Sequence, residues 1–220
     1  MALQQHTTQF HRLTPDDLAP WRAIPPAVAS DCMNRTQVMH ARMKPLTAGQ
    51  MLCGQARTVV SMAGDCLAIC AAINNALPGD ILVIDAGGVA DTAVWGGIMT
   101  LEATLRGIGG VVLDGAVRDV ADIRASGLIM FCTASVPRGP HQGFGGILDG
   151  RIAAAGVPVS PGDIVLGNDD GVVVVPLADA PAILAASQAH LAKEDGWMVD
   201  LRAGRMMKEI FGMPDPMAID

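Results

Sequence analysis

The sequence predicts a mixed α/β fold, and three observations support that prediction. Short aliphatic runs bounded by glycine or proline turns, of which residues 81–84 and 110–113 are the clearest, are typical of buried strands. Residues 66–76, which precede these runs, show the helical spacing of an amphipathic helix. The chain has 220 residues, 50% of them hydrophobic, which is enough for one sizeable core or at most two small ones.

The composition describes an aliphatic and weakly charged protein. Aromatic residues make up 3% of the chain and charged residues 17%, while methionine occurs 13 times. The low charge content indicates that part of the surface is buried between subunits, although a large monomer core would explain it as well. The net charge is −7 and the chain has no basic run, so we expect no nucleic-acid partner.

The five cysteines are an odd number without the spacing of a disulfide framework, and their apolar neighbours predict buried free thiols. Cys66 and Cys70 lie four residues apart on a predicted helix, but no nearby histidine or cysteine pair completes a zinc site. The sequence shows no signal-peptide pattern and no apolar run of membrane-spanning length. We therefore expect a cytoplasmic protein without a membrane partner.

We predict an N-terminal arm over residues 1–24, an α/β domain over 25–204 and a C-terminal tail over 205–220. The domain opens with a helix that begins at Pro25-Pro26, because proline is tolerated in a first helical turn. The other elements predicted for the first half of the domain are a strand over 53–62, a helix over 66–76 and a strand over 81–84.

A glycine-rich loop, residues 85–97, follows the strand at 81–84 and leads into a helix predicted over 98–106. Glycine lets backbone approach a ligand closely, and the first N–H groups of the helix would offer an anion site. The alternative is that Gly96-Gly97 only permits close packing of the helix on the sheet. The loop lacks the glycine spacing of dinucleotide-binding and Walker motifs.

Arg118 and Asp119 follow the strand predicted at 110–113, after a turn signal at Asp114-Gly115 and before a short helix over 120–125. A cation beside a carboxylate at the mouth of a strand is suited to an anionic substrate and a hard metal ion. The alternative is a surface ion pair in which Asp119 caps the helix.

The second half continues with a strand over 128–133 and a long loop over 137–146, whose Arg138 and His141 either lie over the site or are merely mobile. Residues 168–171 (NDDG) are typical of a hairpin turn and lack the pattern of a calcium loop. A long helix is predicted over 179–202. Its Glu194 and Asp195 either reach the site of another chain or belong to a solvated face.

Four segments, taken in order, resemble the RraA-like family, which includes the class II 4-hydroxy-4-methyl-2-oxoglutarate / 4-carboxy-4-hydroxy-2-oxoadipate aldolases. The resemblance extends over residues 27–204. The segments are 78–88 (PGDILVIDAGG), 95–99 (WGGIM), 109–120 (GGVVLDGAVRDV) and 161–176 (PGDIVLGNDDGVVVVP).

The resemblance implies a single compact α/β/α domain with a partly barrel-like β-sheet core of the swivelling β/β/α type, assembled into homotrimers or homohexamers with sites between subunits. It implies that Arg118 binds the carboxylate of pyruvate and that Asp119 holds Mg²⁺ or Mn²⁺, partly through water. The amides of Gly96, Gly97, Ile98 and Met99 would grip the substrate.

A glutamate from a neighbouring C-terminal helix approaches the metal in these aldolases, and Glu194 is the match here, with Asp195 next. The expected function is therefore a metal-dependent pyruvate aldolase that cleaves a 4-hydroxy-2-oxo acid, with oxaloacetate decarboxylation as a side activity. No lysine lies in the matching motifs, which disfavours a Schiff base. A lyase or hydratase acting on another oxo acid would share the same site.

One departure from the aldolases favours a second interpretation. They usually carry an acidic residue where this chain has Gly97. Its absence favours a non-catalytic regulator of the RraA type that binds ribonuclease E. Such regulators commonly lack the arginine–aspartate pair, which this chain keeps as Arg118-Asp119.

Overall fold

The computed structural model describes residues 2–219, which form one mixed α/β domain with a long C-terminal helix, as predicted. The strands are β1 (Leu3–Gln5), β2 (Lys44–Pro45), β3 (Leu52–Ser61), β4 (Ile81–Asp85), β5 (Ala93–Trp95), β6 (Gly110–Val117), β7 (Met130–Ser135), β8 (Gly146–Leu148), β9 (Ile152–Ala154), β10 (Val157–Val159), β11 (Ile164–Asn168) and β12 (Gly171–Val175). The helices are α1 (Pro15–Leu18), α2 (Pro26–Cys32), α3 (Leu67–Asn75), α4 (Gly97–Leu105), α5 (Val120–Ser126), α6 (Ala180–Arg202) and α7 (Met207–Phe211).

The centre of the fold is a parallel arrangement of strands in the order β3-β4-β6-β7. Every residue of β6 is buried, as are the first four residues of β4. Strands covered on both faces have no solvated side, so they appear in the sequence as unbroken aliphatic runs. This is why the runs at 81–84 and 110–113 were the clearest strand signals.

Strand β3 is ten residues long and makes the sheet branch. One edge of β3 pairs in parallel with β4, while the other edge pairs antiparallel first with β11 and then with β8. Strands β11 and β12 form a hairpin whose closing pair is Asn168 and Gly171, which confirms the turn predicted there. The branch therefore links the parallel centre to a second, antiparallel part of the sheet.

Helices cover the sheet on two sides. Helices α3, α4 and α5 bury Ile69, Ile73, Ala103 and Ile123 against one face of the central strands. Helices α2 and α6 pack on each other and on the β11–β12 hairpin, where Val28 and Ala29 are buried. The side of α3–α5 matters for function, because the ends of β5 and β6 open there.

The turn predicted at Asp114-Gly115 is wrong, because β6 continues through both residues to Val117. The Asp114 carboxylate is accommodated inside the strand by Arg42, at 3.0 Å, and by the backbone N–H of Ala155, at 2.8 Å. A Cβ at Gly115 would lie 3.0 Å from the Cβ of Ala86. Gly115 therefore serves close strand packing, and the charge of Asp114 is neutralised locally.

The first 24 residues contribute more secondary structure than the sequence predicts. Strand β1 pairs in parallel with β8, and Arg12 makes an ion pair with the buried Asp80 at 2.8 Å. The neighbouring Asp149 is held by two hydrogen bonds from Arg57, each 2.7 Å long. The Arg12–Asp80 pair and a 2.9 Å hydrogen bond from the Gln5 side chain to Asp149 tie the segment to the domain.

Five short strands were not predicted, namely β1, β2, β5, β8 and β9, and each has two or three residues. A strand this short cannot show alternation in the sequence. Among the helices described over residues 2–219, none combines the length and the apolar character needed to cross a membrane.

Candidate functional site

The candidate site lies where β5 and β6 end side by side. The two strands are parallel neighbours, and the backbone N–H of Arg118 donates to the carbonyl of Trp95 at 2.9 Å. Parallel neighbours end at the same edge of a sheet, which is where α/β folds place their ligand sites. Gly96 and Gly97 therefore lie directly beside Arg118 and Asp119, although 22 residues separate Gly97 from Asp119 in the chain.

Asp119 joins the two segments. Its Oδ2 accepts a hydrogen bond of 2.9 Å from the backbone N–H of Gly97, the first residue of α4. Asp119 has left-handed backbone angles (φ 57°, ψ 43°), a conformation that aspartate and asparagine tolerate better than most residues. It occupies the N-cap position of α5 without capping that helix through its side chain. Its carboxylate thus caps the neighbouring helix, α4.

The guanidinium of Arg118 lies beside this carboxylate, with Nε 3.6 Å from Oδ2 of Asp119. The two side chains are 43% and 42% exposed, so both remain open to a ligand from solvent. An ion pair with this exposure adds little to folding stability. The arrangement is therefore better explained by what the pair can bind than by the stability it provides.

The position of Gly96 has no room for a side chain. Its φ is −160°, which any residue adopts, but a Cβ there would lie 2.7 Å from Oδ2 of Asp119 and 3.2 Å from Cγ of Arg118. At Gly97 the nearest atom to a Cβ would be Oδ2 of Asp122, at 3.2 Å. The close packing considered for Gly96-Gly97 is thus packing against the charged pair.

A cleft of about 260 Å³ opens in front of the pair. The predicted residues Gly96, Gly97, Ile98, Met99, Arg118 and Asp119 all line it. The opposite wall comes from residues 137–145, where a Cβ at Gly139 would lie 2.6 Å from Nη1 of Arg118. Lining residues that the sequence did not single out for this site are Cys66, Cys70, Glu102 and Gln142. Glu102 is on α4 one turn beyond Ile98, which is the signal that would have found it.

Asp65 fixes the loop that forms the opposite wall. The buried carboxylate accepts hydrogen bonds from the N–H groups of Gly143, at 2.7 Å, Phe144, at 3.2 Å, and Leu67, at 2.9 Å. Burial by itself raises the pKa of Asp65, but these backbone donors outweigh burial and hold the pKa below its ordinary value of 3.8. The loop is therefore held in place.

Arg138 and His141 act in this loop through their backbones. The carbonyl of Arg138 accepts from Ala93 at 2.9 Å, and the N–H of His141 donates to Gly64 at 2.8 Å. The imidazole of His141 contacts the Phe144 ring edge-to-face at 5.9 Å. Neither residue lines the cleft.

We predict that Asp65→Asn loosens this loop and lowers the free energy of unfolding by about 2–3 kcal/mol, because an amide NH₂ would face backbone donors in a buried site. The depressed pKa means that the Asp65 carboxylate stabilises the fold above pH 3.8, and that this stabilisation is lost as pH falls through the lower folded pKa. Denaturant unfolding at a series of pH values measures the free energy of unfolding, and hydrogen exchange of residues 139–145 measures the loosening of the loop. Asp31→Asn, on an exposed helix face, is the control, and equal effects of the two substitutions would contradict this role for Asp65.

Glu194 does not line the cleft of its own chain. It lies on α6, where its carboxylate is 3.2 Å from Nε2 of His190, and α6 packs against α2. Its part in a site is therefore still a prediction that requires a neighbouring subunit, and the same holds for Asp195.

The donor set around Asp119 limits the kind of metal that fits. Within residues 2–219, no three His, Cys, Asp or Glu side chains are grouped closely enough to enclose a metal ion. Asp119 is nevertheless a half-exposed carboxylate at the mouth of a cleft. Mg²⁺ keeps several waters and takes only one or two protein carboxylates. The site thus fits a largely hydrated ion held by Asp119, and does not fit an enclosed structural zinc ion.

The family model and the related sequences that match this chain belong to one protein family. The family model described as RraA-like, Aldolase/RraA, matches residues 27–174, which include every residue lining the cleft. A relative from Halalkalibacterium halodurans, with the provisional name 4-hydroxy-4-methyl-2-oxoglutarate aldolase, is 33% identical over 180 residues, 82% of this chain and 86% of the relative. A Thermus thermophilus protein that bears the same name without that qualification is 34% identical over 98 residues, 44% of this chain and 60% of its own.

Solved structures share the fold. RraAS2 of Streptomyces coelicolor, described as an unusual member of the RNase ES inhibitor RraA protein family, superposes with a TM-score of 0.76 at 27% identity. The match covers 86% of this chain and 99% of RraAS2. An uncharacterized protein from Pseudomonas syringae gives a TM-score of 0.80 at 21% identity, over 93% of this chain and 98% of its own, a likeness of fold alone.

Proposed function

This chain belongs to the RraA-like family, and we propose that within it the protein is a divalent-metal-dependent pyruvate aldolase. It would cleave a 4-hydroxy-2-oxo acid to pyruvate and a second carbonyl compound, and would decarboxylate oxaloacetate as a side reaction. The observation that carries the proposal is the meeting of Arg118, Asp119 and the start of α4 in one cleft. The aldolase names of the relatives support the same class of reaction.

Arg118 and α4 supply the groups that bind an oxo acid. A guanidinium presents two parallel N–H donors, which match a carboxylate. The N–H groups of Ile98 and Met99 belong to the first turn of α4, where the helix itself provides no acceptors. The helix N-terminus also favours negative charge. Asp119 occupies the Gly97 amide, so the next two amides are the ones left for the substrate.

Cleavage of the carbon–carbon bond leaves negative charge on the pyruvate fragment as an enolate. Fixed donors aimed at developing charge are the largest expected contribution to such a reaction, and Arg118 is the cation placed for it. No lysine is among the residues lining the cleft, so the chain has no amine there for a Schiff base. The enolate must therefore be stabilised by charge.

Asp119 is the residue that would hold Mg²⁺ or Mn²⁺. A bound divalent ion would supply Lewis-acid polarisation of the oxo acid. The Gly97 N–H fixes Oδ2 of Asp119, and the lack of a side chain at Gly96 leaves room for that carboxylate beside Arg118. The hydrogen bond from Gly97 reduces the motion of the carboxylate before any ligand arrives.

A second copy of the chain would complete the site. Ile98, Leu101 and Leu105 form an apolar stripe on α4 and are 85%, 61% and 79% exposed. Exposed apolar patches of this kind mark interaction surfaces. The stripe begins at the cleft itself, since Ile98 lines it. We therefore propose a homotrimer or homohexamer in which Glu194 of one chain approaches Asp119 of another.

Gly96→Ala is expected to lower pyruvate release by about 100-fold, because a methyl group 2.7 Å from Oδ2 of Asp119 displaces that carboxylate. The fold should persist, since the clash is with the end of a side chain. Gly97→Ala is the matched control and should change activity by less than about fivefold, since its nearest neighbour, Asp122 Oδ2, is 3.2 Å away. Equal activity of the two variants would contradict the role assigned to Gly96.

The proposal is tested by a coupled assay for pyruvate with 4-hydroxy-4-methyl-2-oxoglutarate or oxaloacetate as substrate. We expect pyruvate release that EDTA abolishes and that Mg²⁺ or Mn²⁺ restores. Release that is unaffected by chelation would rule out the metal-dependent mechanism.

A second candidate function is a non-catalytic regulator that binds ribonuclease E. It is favoured by Gly97, which replaces an expected carboxylate, and by the likeness to RraAS2. A pull-down with ribonuclease E, run beside the pyruvate assay, distinguishes the two. Capture of ribonuclease E together with absence of pyruvate release would favour the regulator.

A further inference from the structure

Two residues in the wall of the cleft have no role in the proposed reaction, namely Cys66 and Cys70. Both are free thiols, and they lie four residues apart at the start of α3. The backbone N–H of Cys70 also donates to the carbonyl of Cys66 at 2.9 Å, which fixes the two residues on the same face of one helical turn. The wall of the cleft therefore contains two thiols one helical turn apart.

The surroundings of Cys66 favour its thiolate. Hydrogen bonds from the Cys70 thiol and the Gln142 side chain lower the pKa of Cys66 to about 7, against the opposing effect of burial. The same contact raises the pKa of Cys70. Cys66 also stands at the N-terminal end of α3, where negative charge is favoured. Cys66 is thus the thiol of the pair that loses its proton first.

We propose that Cys66 and Cys70 form an oxidant-sensitive dithiol that a hydroperoxide converts into an intramolecular disulfide in the wall of the cleft. The Cys66 thiolate attacks the nearer peroxide oxygen, the O–O bond breaks, and an alcohol or water leaves after taking up a proton. The sulfur of Cys70 then attacks the resulting sulfenic acid, releases its proton and displaces water. The two thiols are oxidised by two electrons, and the hydroperoxide is reduced by two.

The backbone around Cys66 allows the bond to close. Neighbouring Cβ atoms one helical turn apart are about 5–6 Å from each other, whereas a disulfide needs about 4 Å. Cys66 is the N-cap residue, with φ −118° and ψ 4°, and so stands outside the regular turns of α3. Its backbone is held by two hydrogen bonds, to His141 and from Cys70, both at the edge of the helix, so closing the disulfide strains the first turn of α3 and leaves the later turns intact.

Two other cysteines of the same chain serve as internal controls. Burial raises the pKa of Cys53 and of Cys132 to about 11. Neither lines the cleft. Cys66 is 1% exposed and Cys53 is partly exposed, so faster reaction of Cys66 would come from its thiolate and not from better access to solvent. In the reduced protein at pH 7, Cys66 should be alkylated by iodoacetamide at least about tenfold faster than Cys53, because the thiolate is the reactive form.

The test is oxidation of the reduced full-length protein with hydrogen peroxide, followed by alkylation of the remaining thiols, tryptic digestion and mass spectrometry. Cys66 and Cys70 fall in one tryptic peptide, residues 58–106. We expect this peptide to resist alkylation and to weigh about 2 Da less than its reduced form, and dithiothreitol should restore it. In Cys70→Ser, dimedone should instead trap a sulfenic acid at Cys66. The readout requires no catalysis, so it is independent of the proposed aldolase activity.

Two outcomes would overturn the proposal. One is a wild-type peptide in which Cys66 accumulates as sulfenic or sulfinic acid while Cys70 is still free to be alkylated. The other is oxidation of Cys53 or Cys132 as fast as that of the pair.

Discussion

Replacing Arg118 with alanine is expected to lower kcat/KM for pyruvate release by about 1,000-fold. Arg118 is the cation that faces the cleft beside Asp119, and removal of a donor to developing charge typically costs this much. Its side chain is 43% exposed and its ion pair adds little stability, so the variant should fold normally. The coupled pyruvate assay measures the loss, and circular dichroism checks the fold.

Two further variants make the Arg118 result specific. Arg118→Lys keeps the charge but loses the two-pronged geometry, so it should recover only part of the activity. Arg35→Ala removes an exposed arginine that pairs with Asp31 from just beyond the end of α2, and it should leave activity unchanged. Full activity in Arg118→Ala would refute the assignment of Arg118 to the substrate.

The second large effect is expected for Asp119→Asn, which should lower activity by about 100-fold or more and weaken the response to added Mg²⁺. Asparagine tolerates the left-handed backbone angles of this position and keeps an oxygen that can accept the Gly97 N–H bond. The substitution therefore removes the charge and leaves the local structure in place. Alanine would be a poorer test, since it would also strain the backbone.

Activity titrated against Mg²⁺ concentration distinguishes a lost metal ligand from a general defect. Asp119→Asn should require much more Mg²⁺ for half-maximal activity, whereas Asp31→Asn, on an exposed face of α2, should behave like the wild type. An unchanged Mg²⁺ requirement in Asp119→Asn would mean that another residue holds the ion.

The parts of the fold that the sequence predicts well are those where one physical effect dominates. Strand β4 and the first half of β6 are buried on both faces, so their aliphatic runs identify them. The hairpin at Asn168–Gly171 follows from turn chemistry. Asp114 was misread because its partner Arg42 is 72 residues away, and no local pattern shows that a mid-strand carboxylate will be paired.

The candidate site, like the fold, has parts that the sequence predicts and parts that it does not. Arg118, Asp119 and the Gly96-Gly97 segment stand out in the sequence, and the structure places them in one cleft. The bond from the Gly97 N–H to Asp119 depends on a left-handed residue and on two strands ending together, which composition and spacing do not reveal. The presence of the Cys66 thiol in the cleft depends on the loop over residues 137–145, which Asp65 holds in place. No sequence pattern connects that loop with Cys66.

The most direct test of the central claim is a crystal structure of the protein soaked with Mn²⁺ and pyruvate, with anomalous data to locate the metal. The account predicts a manganese peak within about 2.2 Å of a carboxylate oxygen of Asp119, with the pyruvate carboxylate on the guanidinium of Arg118. A metal bound elsewhere, or pyruvate bound away from Arg118, would contradict it.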